Sequence, residues 1–232
     1  MTSCVLFDFA ETLAELSPSR SEIVAGYVAG VVGLQVSTND IERAYKAVDV
    51  MHPYSSVKIR TQSDREAFYK TYNAHMLMLL GLSHCIDPLD LMNAFTQHKA
   101  HWQLKPSALS TLKLLQEAGK KIGIISNFDS RLEDIVHSKL KLTPYIDYLH
   151  ISQTEGLEKP DTAFYLSFFE KHGLDINSAV YVGDSYFLDF LPAQKIGLQA
   201  YLLDEIGIFS YLPDTLAALD ELPSKIDARQ EC

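Results

Sequence analysis

The chain has 232 residues, of which 47% are hydrophobic and 22% charged, a composition typical of a soluble globular protein with a sizeable core. Its formal net charge of −10 argues against nucleic acid or an anionic membrane as the main partner. The same charge still allows a small phosphorylated ligand, because a bound divalent cation reverses the local potential.

The cysteines and the start of the chain favour a cytoplasmic location. Cys4, Cys85 and Cys232 lie far apart and show no metal-ligand spacing, so we expect free thiols in a reducing compartment. No basic and then apolar leader precedes the first strand. The longest weakly polar run, residues 23–36, is shorter than the roughly 20 apolar residues that span a bilayer. We therefore expect no membrane partner, and the sequence gives no indication of the oligomeric state.

The first predicted element is a strand that ends in a carboxylate. Val5, Leu6 and Phe7 are apolar without alternation, as in a parallel strand buried on both faces. Asp8 then follows at the C-terminal end, where open α/β sheets hold their ligands. A carboxylate at this place serves as a nucleophile, as a metal ligand, or as a cap on the next turn.

Helical patterns follow for about ninety residues. We predict four amphipathic helices, beginning near residues 20, 40, 63 and 88, with no strand between them and a break at residues 51–54. The residues predicted to face inward are Ile23, Tyr27, Val31, Ile41, Ala44, Tyr45, Val48, Phe68, Tyr72, His75, Met76, Leu79, Leu91, Phe95 and Trp102. This arrangement indicates a small helical bundle inserted after the first strand.

From residue 105 onward helices and strands alternate. Strands are predicted at residues 121–126, 146–151, 179–182 and 198–203, and helices at residues 107–118, 131–140, 162–172 and 212–219, the last with a short edge strand before it. Such alternation predicts an α/β fold, a parallel sheet with helices on both faces.

Polar residues lie where the predicted strands end. Asp8 ends the first strand, and Ser126 and Asn127 end the second. Asp184 and Asp189 follow a later strand, and Lys159 lies just before the helix that precedes it. Parallel strands bring these groups to one edge of the sheet. Hard oxygens beside a hydroxyl and an ammonium suit Mg²⁺ and a phosphoryl group.

These motifs, in this order and at these strand ends, resemble those of the haloacid dehalogenase-like (HAD) hydrolase superfamily with a helical cap, the C1 subclass. The resemblance implies a Rossmann-like core made of residues 1–14 and 101–232, with an inserted α-helical cap of residues 15–100 that closes over the site and selects the substrate. It implies a Mg²⁺-dependent phosphatase that acts on a small phosphomonoester through an aspartyl-phosphate.

The resemblance also implies a role for each site residue. Asp8 corresponds to the nucleophile and Lys159 to the lysine that holds nucleophile and phosphate, whereas Ser126 and Asn127 correspond to substrate-binding positions. The implied metal ligands are Asp8, the backbone carbonyl of Ala10, Asp184 and Asp189.

One position departs from the pattern. The family's phosphatases carry a second Asp two residues after the nucleophile, which protonates the leaving oxygen and later deprotonates water, and here that residue is Ala10. Positioned general acids contribute typically about 10²–10⁴-fold, so the sequence predicts weak activity. Glu11 is a neighbouring candidate for its replacement, although adjacent side chains diverge, and a substrate with a good leaving group would need less protonation.

Two further explanations of Ala10 stay open. The family's phosphonoacetaldehyde hydrolases carry Ala at this position and use a cap lysine to form a Schiff base, for which Lys46, Lys58 and Lys70 are candidates. The 2-haloacid dehalogenases also lack the acid, but they need no metal, and the Gly183-Asp184 pair argues against them. Alternatively the chain binds metal and phosphate without turnover.

Overall fold

The computed structural model describes residues 2–51 and 62–230, which fall into two compact units. The core unit comprises residues 1–15 and 102–232, and the helical unit comprises residues 16–101. Across the described residues, no helix combines the length and the apolar character needed to cross a membrane.

Eight strands form two sheets in the described chain. They are β1 (Cys4–Phe7), β2 (Ala14–Ser17), β3 (His101–Leu104), β4 (Lys121–Ser126), β5 (Tyr148–Ile151), β6 (Ala179–Gly183), β7 (Gln199–Leu203) and β8 (Thr215–Leu216). The larger sheet has the order β5-β4-β1-β6-β7-β8, and every pair in it is parallel. The predicted α/β fold is thereby confirmed.

Helices cover both faces of this sheet. Successive strand residues point to opposite sides, so each buried strand presents apolar side chains to helices on both faces. The helices of the core unit are α5 (Ala108–Glu117), α6 (Arg131–Asp134, continued by a π-helical turn Ile135–Lys139), α7 (Ser152–Glu155), α8 (Thr162–His172), α9 (Leu191–Lys195) and α10 (Leu222–Gln230). Val5 and Phe7 of β1 pack in the cluster that contains α5, α6 and α10. Cys4 and Leu6 pack in the cluster that contains α8 and α9.

The helical unit contains α1 (Arg20–Val32), α2 (Thr38–Met51), α3 (Gln62–Leu79) and α4 (Pro88–Gln97), which share one apolar cluster. Ser19 caps α1 with a reciprocal Ser19–Glu22 capping box, and Asp87 caps α4. The inward face predicted for α2 is buried at each predicted position, namely Ile41, Ala44, Tyr45 and Val48.

Two residues predicted to face inward in the helical unit lie on its surface. Val31 is 55% exposed, because α1 buries Val24 and Val28 instead. Leu79 is 46% exposed, because α3 turns its last residues outward. The apolar stripes of α1 and α3 are therefore shorter than the sequence predicts.

Two predicted boundaries at the ends of the helical unit also differ from the structure. Trp102 lies on β3 rather than on α4, which ends at Gln97. The predicted break at residues 51–54 falls mostly outside the described residues, and α2 ends at Met51.

Sequence patterns missed two strands of mixed polarity. β2 and β3 pair with each other and lack the continuous apolar run that revealed β1, which is equally short. The helix predicted at residues 212–219 is wrong as well. That segment instead forms the two-residue strand β8, whose Leu216 is buried beside Leu203, and the helix α10 begins only at Leu222.

Candidate active site

Asp8 directly follows the central strand β1, between the ends of β4 and β6. Its backbone N–H donates to the carbonyl of Val182 at 2.8 Å, which extends the β1–β6 pairing by one residue. The chain then turns back sharply, since the N–H groups of Leu13 and Ala14 both donate to the carbonyl of Phe9. The turn holds the Asp8 side chain, only 6% exposed, at the carboxyl edge of the sheet.

Lys159 joins Asp8 to Asp189. Its Nζ atom lies 2.5 Å from Asp8 Oδ1 and 2.6 Å from Asp189 Oδ1, and it also donates to the hydroxyl of Tyr181 at 3.0 Å. All four side chains are buried, and the exposed fraction of Lys159 is 4%. A buried ammonium requires such partners, because an unpaired charge in this environment would be strongly destabilising.

Asn127 fixes the backbone of Lys159. Its side-chain Nδ2 donates to the carbonyl of Lys159 at 2.9 Å, and its Oδ1 accepts from the N–H of Lys159 at 2.7 Å. Asn127 itself is exposed and follows Ser126, the buried last residue of β4. The end of β4 is therefore tied to the lysine loop through one side chain.

Asp189 is held from three directions. Besides Lys159, the hydroxyl of Tyr181 donates to its Oδ1 at 2.8 Å, and the N–H of Ser185 donates to its Oδ2 at 3.0 Å. The side chain packs directly over Gly183, where an added Cβ would lie 2.3 Å from Asp189 Cγ. Glycine is thus required at the end of β6 for this close approach.

Three carboxylates of the described chain could share a cation. Asp8, Asp184 and Asp189 each offer an oxygen, and these oxygens all lie within 4.8 Å of one another. One lysine does not balance three carboxylates, so the donor set fits a divalent cation that prefers hard oxygen ligands. Thr12 donates to Asp184 Oδ1 at 3.4 Å and orients that ligand. Ala10, whose carbonyl is the further ligand expected from the sequence, lies in the turn and pairs with Ala14.

The site shifts the proton affinity of its members. Burial, followed by the carboxylates of Asp189 and Asp184, raises the pKa of Asp8 to about 7, although the Lys159 ammonium opposes the rise. Burial alone would lower the pKa of Lys159, but Asp189 and Asp8 raise it above its ordinary value. Burial and Asp189 raise the pKa of the Tyr181 phenol well above its ordinary value. A cation at the carboxylates would favour the ionised form of Asp8.

Sequence reasoning missed one member of this network, Tyr181. It occupies the middle of the apolar strand β6 and has the pattern of a core aromatic, and its ring does pack against Tyr165. The available signal was its position three residues before Asp184, on a strand predicted to end at the site. A buried phenol usually has a hydrogen-bond partner, and in this strand the nearby site supplies it.

An aromatic cluster supports the two loops that carry Asp8 and Asn127. Phe9 follows the former and Phe128 the latter, and the ring of Trp102 lies 5.0 Å from that of Phe9 and 5.7 Å from that of Phe128. Phe9 and Phe128 also meet edge to face at 5.9 Å.

Two of the three cap lysines considered for Schiff-base chemistry lie among the described residues. Lys46 is partly buried and Lys70 is exposed, whereas Lys58 lies outside the described residues.

The chain resembles known hydrolases in sequence and structure. The profile of a family described as haloacid dehalogenase-like hydrolase matches residues 5–203. "Haloacid dehalogenase-like hydrolase domain-containing protein 3" of Danio rerio is 36% identical over 104 residues, covering 45% of this chain and 43% of that protein. The match thus spans less than half of that relative's length. Ribulose-1,5-bisphosphate 5-phosphatase of Halopiger xanaduensis is 27% identical over 207 residues, covering 88% of this chain and 85% of that enzyme.

A solved structure with the same fold extends over nearly the whole chain. It is the magnesium-bound form of YfnB from Bacillus subtilis, described as a HAD-hydrolase, with a TM-score of 0.63 and 18% identity. The likeness covers 95% of this chain and 96% of YfnB.

Proposed function

Because this chain belongs to the haloacid dehalogenase-like hydrolase family, we propose that it is a Mg²⁺-dependent phosphatase that acts on a small phosphomonoester through an aspartyl-phosphate on Asp8. The observation that carries the proposal is the buried contact of Lys159 with both Asp8 and Asp189, next to the third carboxylate, Asp184. A phosphatase among the relatives supports the reaction class, since the enzyme of Halopiger xanaduensis is named for phosphate removal from a sugar bisphosphate.

In this proposal the Asp8 carboxylate attacks the phosphorus atom in line with the leaving oxygen. Lys159, 2.5 Å from the attacking carboxylate, keeps Asp8 in place and offsets negative charge on the transferring group. Ser126 and Asn127, at the end of β4, provide a hydroxyl and an amide for the phosphoryl oxygens. Water then cleaves the aspartyl-phosphate and restores Asp8.

Asp8, Asp184, Asp189 and the carbonyl of Ala10 would hold the metal. When bound, Mg²⁺ supplies charge neutralisation to the phosphoryl oxygens and lowers the repulsion between the substrate and the acidic site. Support comes from the mutual proximity of the three carboxylates and from the magnesium present in the structure of YfnB.

The helical unit is proposed to act as the cap that selects the substrate. The magnesium-bound structure of YfnB reveals interdomain movement in that protein, which supports a mobile cap in relatives of this fold. The partner is then a small phosphorylated molecule, rather than nucleic acid or membrane. The cytoplasmic location stays a prediction from the spacing of the cysteines.

A direct test compares Mg²⁺-dependent hydrolysis of p-nitrophenyl phosphate by the wild type, Asp8→Asn and Ala10→Asp. We expect weak phosphate release by the wild type, none by Asp8→Asn, and a gain of about 10²-fold or more in Ala10→Asp, because the missing general acid is restored. Absence of any gain in Ala10→Asp would contradict the phosphatase assignment.

Ala10 also favours a second candidate, a protein that binds metal and phosphate without turnover. Such a protein binds Mg²⁺ and a phosphate mimic, yet releases no phosphate above the Asp8→Asn background. A C–P hydrolase of the phosphonoacetaldehyde type is separated from both by borohydride trapping with phosphonoacetaldehyde, which would label one lysine of the helical unit.

A further inference from the structure

The three ammonium protons of Lys159 all have acceptors in the described structure. An ammonium carries three protons, and those of Lys159 have three acceptors: Asp8 Oδ1 at 2.5 Å, Asp189 Oδ1 at 2.6 Å and the Tyr181 hydroxyl at 3.0 Å. None remains for the leaving oxygen of a substrate.

The hydroxyl groups at the site do not replace the missing acid. Tyr181 is fully buried, and its proton goes to Asp189 Oδ1 at 2.8 Å, with the carbonyl of Ile125 as a longer alternative at 3.4 Å. The hydroxyl of Thr12 is directed to Asp184. Alcohols such as those of Thr12 and Ser126 are, in addition, very weak acids. The residue placed to transfer a proton in the family pattern is Ala10, which has only a methyl group.

We propose that this chain takes phosphoryl groups from donors with acidic leaving groups, that is aryl and acyl phosphates rather than alkyl phosphates, and that the phosphoryl group then persists on Asp8. This inference rests on the proposed function, and it specifies the substrate class and the stable state of the same site.

The first half-reaction needs no proton when the leaving group is acidic. A bond forms between Asp8 Oδ and phosphorus while the bond from phosphorus to the leaving oxygen breaks, and the leaving oxygen keeps the electron pair. A nitrophenolate or carboxylate, whose conjugate acid has a pKa of about 7 or lower, departs as a stable anion at neutral pH. An alkoxide does not, so alkyl phosphates bear the full loss of about 10²–10⁴-fold from the absent acid.

The second half-reaction lacks the same group. Water forms a bond to phosphorus, the bond from phosphorus to Asp8 Oδ breaks, and the proton of water must be accepted as the attack proceeds. With Ala10 in the family's base position, bulk water is the acceptor, so hydrolysis is slowed by a comparable factor. Formation from a good donor then outruns breakdown, and phosphorylated Asp8 accumulates.

The test is a rapid-mixing experiment on the full chain with Mg²⁺ and p-nitrophenyl phosphate, combined with intact-mass analysis after acid quench. We expect a burst of about one equivalent of p-nitrophenol per chain, one added phosphoryl group by mass, and a steady state roughly 10²-fold slower than the burst. Asp8→Asn serves as the unlabelled control. Ala10→Asp should abolish the accumulation while raising the steady-state rate.

The leaving-group dependence is measured on the same samples with aryl and alkyl phosphates. The wild type should discriminate against alkyl donors about 10²-fold more strongly than Ala10→Asp does. Equal discrimination by the two proteins, or turnover by the wild type without a burst, would overturn the inference while leaving the phosphatase intact. A steeper leaving-group dependence in Glu11→Gln than in the wild type would show that Glu11 supplies the proton, and it would overturn the inference too. If neither the wild type nor Ala10→Asp releases phosphate from any donor, the proposed function itself fails, and the inference with it.

Discussion

Gly183→Ala tests how tightly Asp189 is packed at the end of β6. An added Cβ would lie 2.3 Å from Asp189 Cγ and 2.6 Å from its Oδ2. Since non-bonded carbon atoms prefer about 3.5–4.0 Å, the carboxyl group would have to retreat by about 1.2 Å or more. That distance exceeds the tolerance of its hydrogen bonds to Lys159 at 2.6 Å and Tyr181 at 2.8 Å.

The expected cost follows from these contacts. Overpacking costs typically about 1–3 kcal/mol, and loss of one charge-assisted hydrogen bond adds about 1.5–3 kcal/mol. Gly183→Ala should therefore lower the free energy of unfolding by about 2.5–6 kcal/mol. It should also weaken Mg²⁺ binding, because Asp189 is one of the three clustered carboxylates.

The assay is urea unfolding followed by the fluorescence of Trp102, the single tryptophan of the chain, which lies in the core unit. Gly123→Ala is the matched control, since its Cβ would lie 2.8 Å from Leu6 Cδ2 without touching the carboxylates. It should destabilise the chain and leave the Mg²⁺ affinity unchanged. Gly26→Ala meets nothing within 4 Å and should stabilise α1 slightly. Wild-type stability and Mg²⁺ affinity in Gly183→Ala would refute the described packing of Asp189.

Three other predictions concern the lysine loop, the metal and a buried histidine. Asn127→Ala removes both hydrogen bonds to the Lys159 backbone, so it should cost about 1–2 kcal/mol in urea unfolding and lower kcat more than it raises KM. In the wild type Mg²⁺ at a hundredfold excess over its Kd should add about 2.7 kcal/mol to the free energy of unfolding. This stabilisation should raise the Tm of the wild type relative to the same sample with EDTA, and the Tm difference should disappear in Asp184→Asn. Burial lowers the pKa of His150, so the unfolded chain binds this proton more readily and the contribution of His150 to stability should fall as pH drops below about 6.5, whereas Asp8, whose pKa is raised, contributes in the opposite direction. On going from pH 7 to pH 5, the urea midpoint of His150→Gln should change in a more stabilising direction than that of the wild type, and an equal change in both proteins would contradict the shift.

The positions of the core strands along the chain and the residues at their ends were accessible from the sequence. β1, β4, β6 and β7 are buried on both faces, so each appears as a continuous apolar run with a polar residue just beyond it. Parallel pairing then requires those polar residues to meet at one edge. The structure brings Asp8, Lys159, Asp184 and Asp189 together in this way.

Other features depend on contacts between distant segments, which no local pattern encodes. Tyr181 looks like any core aromatic until β6 is placed beside the lysine loop, and only then does its hydroxyl acquire Lys159 and Asp189 as partners. β2 mixes polar and apolar residues and β8 has only two residues, so each is defined by the strand it pairs with. Both strands can be recognised only when the neighbouring strands of the sheet are placed beside them.

Two proteins of the same fold can differ in their ability to transfer a proton, and position 10 shows why. The turn after Asp8 is fixed by backbone bonds, with the N–H of Glu11 donating to the carbonyl of Ala14 at 2.7 Å and Ala10 paired to Ala14. The side chain of Ala10 is only partly buried, so the fold accepts a methyl group or a short carboxylate there. At position 183, in contrast, the close packing of Asp189 leaves no room for a Cβ atom and so requires glycine. Packing therefore constrains position 183, whereas it leaves position 10 open to alanine or aspartate, and in the proposed phosphatase these two residues differ in whether they can transfer a proton.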